Sequence, residues 1–159
     1  MNPVVLSLAF AAAILASLLI KFWLATRQMR HVAAHRGAVP AAFAGTVTLH
    51  AHQKAADYTL AKLRLGIASD AFGSAVLVGW TLLGGLAWLN GVLLSVVLPR
   101  WGGMAYQLLL VGATMLIGGL LDLPLDLWRT FRLEERFGFN KTTPALYTSE
   151  LVKSTLLTI

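Results

Sequence analysis

Three stretches of this chain carry no charged side chain for long enough to cross a bilayer: residues 3–20, 71–98 and 101–121. An α-helix rises about 1.5 Å per residue, so roughly 20 residues span a hydrocarbon core of about 30 Å. The first run has 18 residues and completes its crossing if Lys21 snorkels from the helix end, which places the span at about 3–24. The second has 28 residues, more than a straight crossing needs. It is expected to tilt or bend, with Gly84-Gly85 as the soft point. The third has 21 and follows Pro99 and Arg100 closely. Composition agrees: 57% of residues are hydrophobic and 13% charged, against about 25% charged in an ordinary globular chain. The expected fold is all-α, a polytopic helical membrane protein with three transmembrane helices whose partner is the lipid bilayer.

The net charge of +6 is one-sided. Seven Lys or Arg lie between the first and second spans, five follow the third, and Arg100 stands alone in the turn between the second and third. Twelve against one orients the chain with the 25–66 loop and the C-terminal segment in the cytoplasm and the N-terminus outside. Trp23 and Trp128 then fall at the inner interface and Trp101 at the outer. The basic residues flank the spans without a dense run or a nucleic-acid-binding module, which excludes nucleic acid as a partner. Met1-Asn2-Pro3 supplies no positive charge ahead of the first apolar run, so that run reads as a retained span and not a cleaved signal. No cysteine is present, hence no disulfide, thiolate metal site or cysteine nucleophile.

Within the loop, Ala56, Leu60 and Leu63 share a helical face, which predicts a helix over 53–65 running into the second span. Small residues recur every fourth position at Ala71, Ala75 and Gly79, and again at Ala87, Gly91 and Ser95, a spacing that favours close helix approach. His31 and His35 lie four apart, and His50 and His52 two apart. A zinc peptidase helix needs His-Glu-x-x-His, and Val32 occupies the position of the general base. No carboxylate neighbours either pair, so the histidines read as residues of a solvated loop and no metal is expected on this chain. Asp122 and Asp126 share a face at the end of the third span, with Arg129 and Arg132 in reach. They read as an interfacial ion-pair cluster that Asp70 is placed to join.

After the third span an interfacial helix and turn are expected over 126–144. Its helix carries Glu134 and Glu135 and stops at Gly138 in a left-handed cap. Asn140 is then placed to cap the following segment, where a fourth apolar helix begins at Ala145. This block resembles the N-terminal membrane region of the type I CAAX prenyl proteases, a family of membrane-embedded zinc metalloendopeptidases. The resemblance rests on Leu123-Pro124, Thr130-Phe131, Glu134-Glu135, Gly138-Phe139-Asn140 and Thr142. Lys54, Tyr58, Lys62 and Gly66 repeat the family's pattern before the second span, and the similarity covers roughly 40–155.

The resemblance implies proteolysis of membrane-associated or prenylated peptides by a zinc enzyme whose metal lies on the cytoplasmic side. Residues 1–159 contain no His-Glu-x-x-His. The catalytic zinc domain is therefore expected downstream, outside this chain, as its partner. Zinc belongs to the full-length enzyme, and the chain alone is expected to be inactive because a metal-activated water and a carboxylate base are both required. Glu134 and Glu135 match family positions without a physical ground for catalysis, and no catalytic residue is expected in this chain. The alternative is a small non-enzymatic membrane protein acting in helix assembly or partner binding.

Overall fold

The computed structural model describes residues 2–158, with the side chains of 155, 156 and 158 left aside. The expected extension of the last helix to Ile159 lies outside the described residues. Every regular element among them is helical, and the protein is a polytopic helical membrane protein. It divides into two units, Met1–Leu83 and Gly84–Ile159.

The first unit is a pair of long helices. α1 (Pro3–His35) starts where the Asn2 side chain accepts a hydrogen bond from the Val4 amide at 3.0 Å, with Pro3 in the first turn. Its 33 residues measure about 50 Å, far more than a hydrocarbon core. The helix therefore outruns the apolar run and continues through Arg27 and Arg30, in the part of the chain read from sequence as loop. Ala, Arg, Gln and Met are good helix formers, and nothing in 25–35 breaks the helix before Gly37. A single 3₁₀ turn (Ala41–Phe43) leads to α2 (Leu49–Thr81), capped by the Thr48 hydroxyl on the Ala51 amide at 3.2 Å. The helix expected over 53–65 is the first third of α2. α2 closes with the Leu82 and Leu83 amides both bonded to the Val78 carbonyl. Gly84 then takes a left-handed conformation, φ 80°, at the expected soft point.

In the second unit, α3 (Gly85–Val96) packs against α4 (Leu98–Trp128). α4 is interrupted at Gly102, whose φ of 77° and ψ of 177° lie outside the helical region. Near its far end Pro124 offers no amide to the preceding turn. The chain continues through a wider π turn (Arg129–Glu134) and a last short turn, α5 (Glu135–Phe137), before α6 (Pro144–Thr158). By length and apolarity, two helical stretches qualify as spans, Pro3–His35 and Leu98–Phe137; α2 and α3 make a third when taken together across their bend.

The molecule has almost no interior. Ala56, Leu89, Leu133 and Phe137 are the buried apolar residues among those described, while Leu83, Trp101 and Met104 are more than 70% exposed. A water-soluble chain does the opposite, and a surface this apolar is matched to lipid or to other membrane helices. The small-residue stripes do not mediate close approach here. A Cβ built on Gly79 or Gly91 meets nothing within 4 Å, and the α2 residues turned toward α1 are Asp70, Gly73, Ser74 and Leu77. Ala71, Ala75 and Gly79 lie more than a quarter-turn around the helix from that face.

Candidate functional site

Two regions concentrate the residues singled out by sequence. The first is the segment from Thr130 to Thr142. Gly138 sits at φ 77° and ψ 19°, a left-handed conformation that glycine adopts without a Cβ penalty. Around it the Gly138 amide donates to the Glu135 carbonyl at 3.0 Å. The Phe139 and Asn140 amides both donate to the Glu134 carbonyl, at 2.9 and 3.3 Å. This is a helix C-cap that satisfies the last carbonyls through a glycine. Glu134 and Glu135 thus contribute through their backbone. Neither carboxylate enters an ion pair among the described residues.

Leu133 and Phe137, four apart, are buried under this turn, and Phe131 packs edge-on against Tyr147 of α6 with centroids 5.6 Å apart. Phe139 projects outward, more than half exposed. Asn140 does not cap α6. Its Oδ1 accepts from the Thr142 amide at 2.7 Å and shapes the turn, while the Thr143 hydroxyl accepts from Leu146 and caps the helix. Asn140 lies one turn too early, and Pro144 at the start of α6 makes Thr143 the natural cap. Asp126 pairs with Arg129 at 3.5 Å.

The second region is the joint between α1 and α2. Lys21 Nζ meets Asp70 Oδ1 at 2.6 Å, and Arg36 grips Asp57 with two bonds of 2.7 and 2.8 Å. The partner of Asp70 is thus Lys21. The Asp57 carboxylate holds the Arg36 guanidinium above the ordinary arginine value, first through the hydrogen bond and then through its charge. Next to Lys21 and Asp70 opens a crevice of about 430 Å³, lined by Ser17, Gly73 and Ser74 among others. The Ser69 hydroxyl is buried there without a hydrogen-bond partner.

The histidines are not loop residues. His31 and His35 stack on α1 with ring centroids 4.2 Å apart. His35 Nδ1 lies 2.8 Å from the His31 carbonyl, and His52 Nε2 on α2 lies 3.0 Å from the His35 carbonyl. Both nitrogens are therefore donors tied to backbone oxygens. The three rings border a groove of about 270 Å³ with Ala55, Ala56 and Thr59. Among the described residues no three His, Asp or Glu side chains converge to hold a metal. Of the loop-pattern residues, Lys62 places its ammonium 5.9 Å over the Tyr58 ring, and Lys54 is exposed one turn earlier.

Three fasteners were not read from sequence: Lys21–Asp70, Arg36–Asp57, and the hydrogen bond from the Tyr106 hydroxyl to the Asn90 side chain between α4 and α3. The available signals were opposite lone charges at facing span ends and a single amide in an uncharged run. In chemical terms both regions hold and aim backbone.

Comparison with known proteins gives a consistent result. Residues 28–159 match the family described as CAAX prenyl protease N-terminal, five membrane helices. The match begins earlier than the block read from sequence and takes in His31, His35 and Arg36. CAAX prenyl protease 1 of Saccharomyces cerevisiae is 32% identical over 111 residues, covering 65% of this chain and 24% of that protein. The crystal structure of S. mikatae Ste24p superposes with a TM-score of 0.85 at 25% identity, over 94% of this chain and 35% of that one. The chain thus spans about a quarter of one relative and about a third of the other.

Proposed function

The chain belongs to the CAAX prenyl protease N-terminal family, and from that premise we propose that it is the membrane-embedded N-terminal region of a zinc metalloendopeptidase. The whole protein would cut membrane-associated or prenylated peptides. Zinc, its ligands and the catalytic base would come from a domain that residues 1–159 do not contain, and the chain alone would be inactive. Its helices would help wall the substrate chamber. The single observation that carries this reading is the Gly138 turn. The family's most specific block, Glu134-Glu135 through Gly138-Phe139-Asn140, coincides with a left-handed cap that redirects the chain after a membrane helix. A catalytic domain docked beyond α6 would depend on that direction.

The proposed orientation puts the ends of α1 and α2 that carry Arg36 and Asp57 in the cytoplasm, with the N-terminus and Arg100 outside. The charge distribution supports it. Lys54, Tyr58, Lys62 and Thr142 are proposed as structural members of the family pattern, with Glu134, Glu135, Gly138, Phe139 and Asn140 forming the turn. The test is cleavage of a farnesylated peptide in detergent with added zinc. The purified chain is expected to leave the peptide intact, and the same chain followed by its catalytic domain is expected to cut it. Zinc-dependent cleavage by residues 1–159 alone would overturn the assignment.

A further inference from the structure

The face of α1 turned away from α2 has an order that the protease reading does not use. At about 100° per residue, Leu19, Ile20, Trp23, Arg27 and Arg30 fall on one side of the helix. Lys21, His35 and Arg36, the side chains that bond α2 or line the groove against it, fall on the other. Leu19, Ile20 and Trp23 are each close to 60% exposed. Arg27 and Arg30 are exposed too, and neither forms an ion pair among the described residues. The Arg27 guanidinium lies 5.7 Å from the Trp23 ring centroid.

Read along the helix, this strip passes from aliphatic to indole to guanidinium over about 17 Å. A phospholipid changes in the same order and over a similar distance, from acyl chain through glycerol to phosphate. Indole prefers the middle layer. A guanidinium stacked on a ring keeps its N–H edge free, and that edge matches phosphate oxygens in two parallel hydrogen bonds. The device recurs in the second unit, where Trp128 is 60% exposed and Arg132 lies 5.9 Å over its ring, again without a carboxylate among the described residues. In both places arginine follows tryptophan by four residues.

We propose that the Trp23–Arg27–Arg30 face of α1 is a binding site for the headgroup of an anionic phospholipid. Charge complementarity selects the occupant: two unpaired cations at the boundary of an apolar strip match a lipid that brings both an acyl chain and a negative phosphate. The site is independent of proteolysis and of the downstream domain.

The test is native mass spectrometry of the purified chain given equal dioleoylphosphatidylglycerol and dioleoylphosphatidylcholine. The expected result is preferential retention of phosphatidylglycerol, on the order of fivefold for each arginine, falling as salt is raised. Arg27→Gln with Arg30→Gln should remove most of the preference, leaving only what Trp128 and Arg132 contribute, while phosphatidylcholine binding stays at the wild-type level. Arg27→Lys with Arg30→Lys keeps the charge without the forked N–H edge and should keep part of the preference, which guards against a variant that simply fails to fold. Inorganic phosphate should not displace the lipid at matched concentration. Equal retention of the two lipids, a preference undiminished by the double glutamine change, complete loss of it in the lysine pair, or displacement by phosphate would each overturn the proposal.

Discussion

The two units of this protein are fastened by different chemistry. In Met1–Leu83 the joints are long-range and charged or imidazole-based: Lys21 to Asp70, Arg36 to Asp57, and His52 to the His35 carbonyl. In Gly84–Ile159 the side-chain hydrogen bond between α4 and α3, from Tyr106 to Asn90, is neutral, Phe131 packs against Tyr147, and the backbone breaks at Gly102 and turns at Gly138. The difference follows from depth. Lys21, Asp70, Arg36 and Asp57 stand at or beyond the ends of the apolar runs, where water offsets the cost of charge. Asn90 and Tyr106 lie inside uncharged runs, where an ion is expensive and a neutral hydrogen bond is tolerated.

The strongest way to break this comparison is to show that its two ends do not face the sides assigned to them. Single cysteines placed at Ala42 in the first unit and Gly102 in the second are expected to differ completely toward an impermeant thiol reagent in intact cells. The residue 102 variant should label and the residue 42 variant should not. The reverse pattern would invert the proposed topology and with it the meaning of the charged joints.

Next in size is Gly138→Val. A β-branched side chain at φ 77° should strain the turn by roughly 1–2 kcal/mol. In the whole protein, peptide cleavage per folded molecule, with folding judged by size-exclusion elution, is expected to fall more than membrane insertion does. Unchanged turnover would reduce the turn to ordinary helix termination.

Asn90→Leu tests the neutral fastener. Interhelical hydrogen bonds in membranes average about 0.6 kcal/mol, so a modest drop in the midpoint of unfolding in mixed micelles is expected. Tyr106→Phe should give the same drop, and the double change should add little beyond either. Additive losses would mean that the two side chains act separately.

The smallest effect is expected at the charged joint. Arg36→Gln should loosen α1 from α2 slightly at low salt and make no difference near 1 M, where the screening length is about 3 Å. Alkali should not reproduce it. Asp57 raises the affinity of Arg36 for its proton, so raising the pH leaves the contribution in place until the arginine range is passed. A destabilisation that persists at high salt would move this joint into the same class as Asn90–Tyr106.

What the sequence disclosed and what it hid have separate physical causes. Uncharged length fixes spans because lipid tolerates no alternative, so the apolar runs and the break at Gly84 were legible. The Gly138 cap was legible because few residues other than glycine adopt its backbone. The helical continuation of α1 to His35 was hidden because charge, and not helix propensity, set the end of the span; alanine, arginine and glutamine all favour helix. Pairing was hidden as well: Asp70 had candidate partners in several places, and only the fold puts Lys21 beside it. The cap of α6 went to Thr143 over Asn140 for a reason of one turn's spacing, below what side-chain type alone resolves.

The wide turn at Arg129–Glu134 bears on how this helix tolerates insertions and deletions. An ordinary helix advances about 100° per residue, so one residue more or less swings everything beyond it by that angle. A π turn is a place where one residue has been taken up as slack. Pro124 just upstream removes an amide that would otherwise lock the ladder. Removing a single residue from this turn would let the helix revert to even winding, and the Glu134-to-Asn140 corner would keep both its shape and its bearing, whereas the same deletion elsewhere in α4 would swing it by about 100°. The segment thus works as a phase adjuster: it sets the bearing of whatever follows independently of the span that carries it.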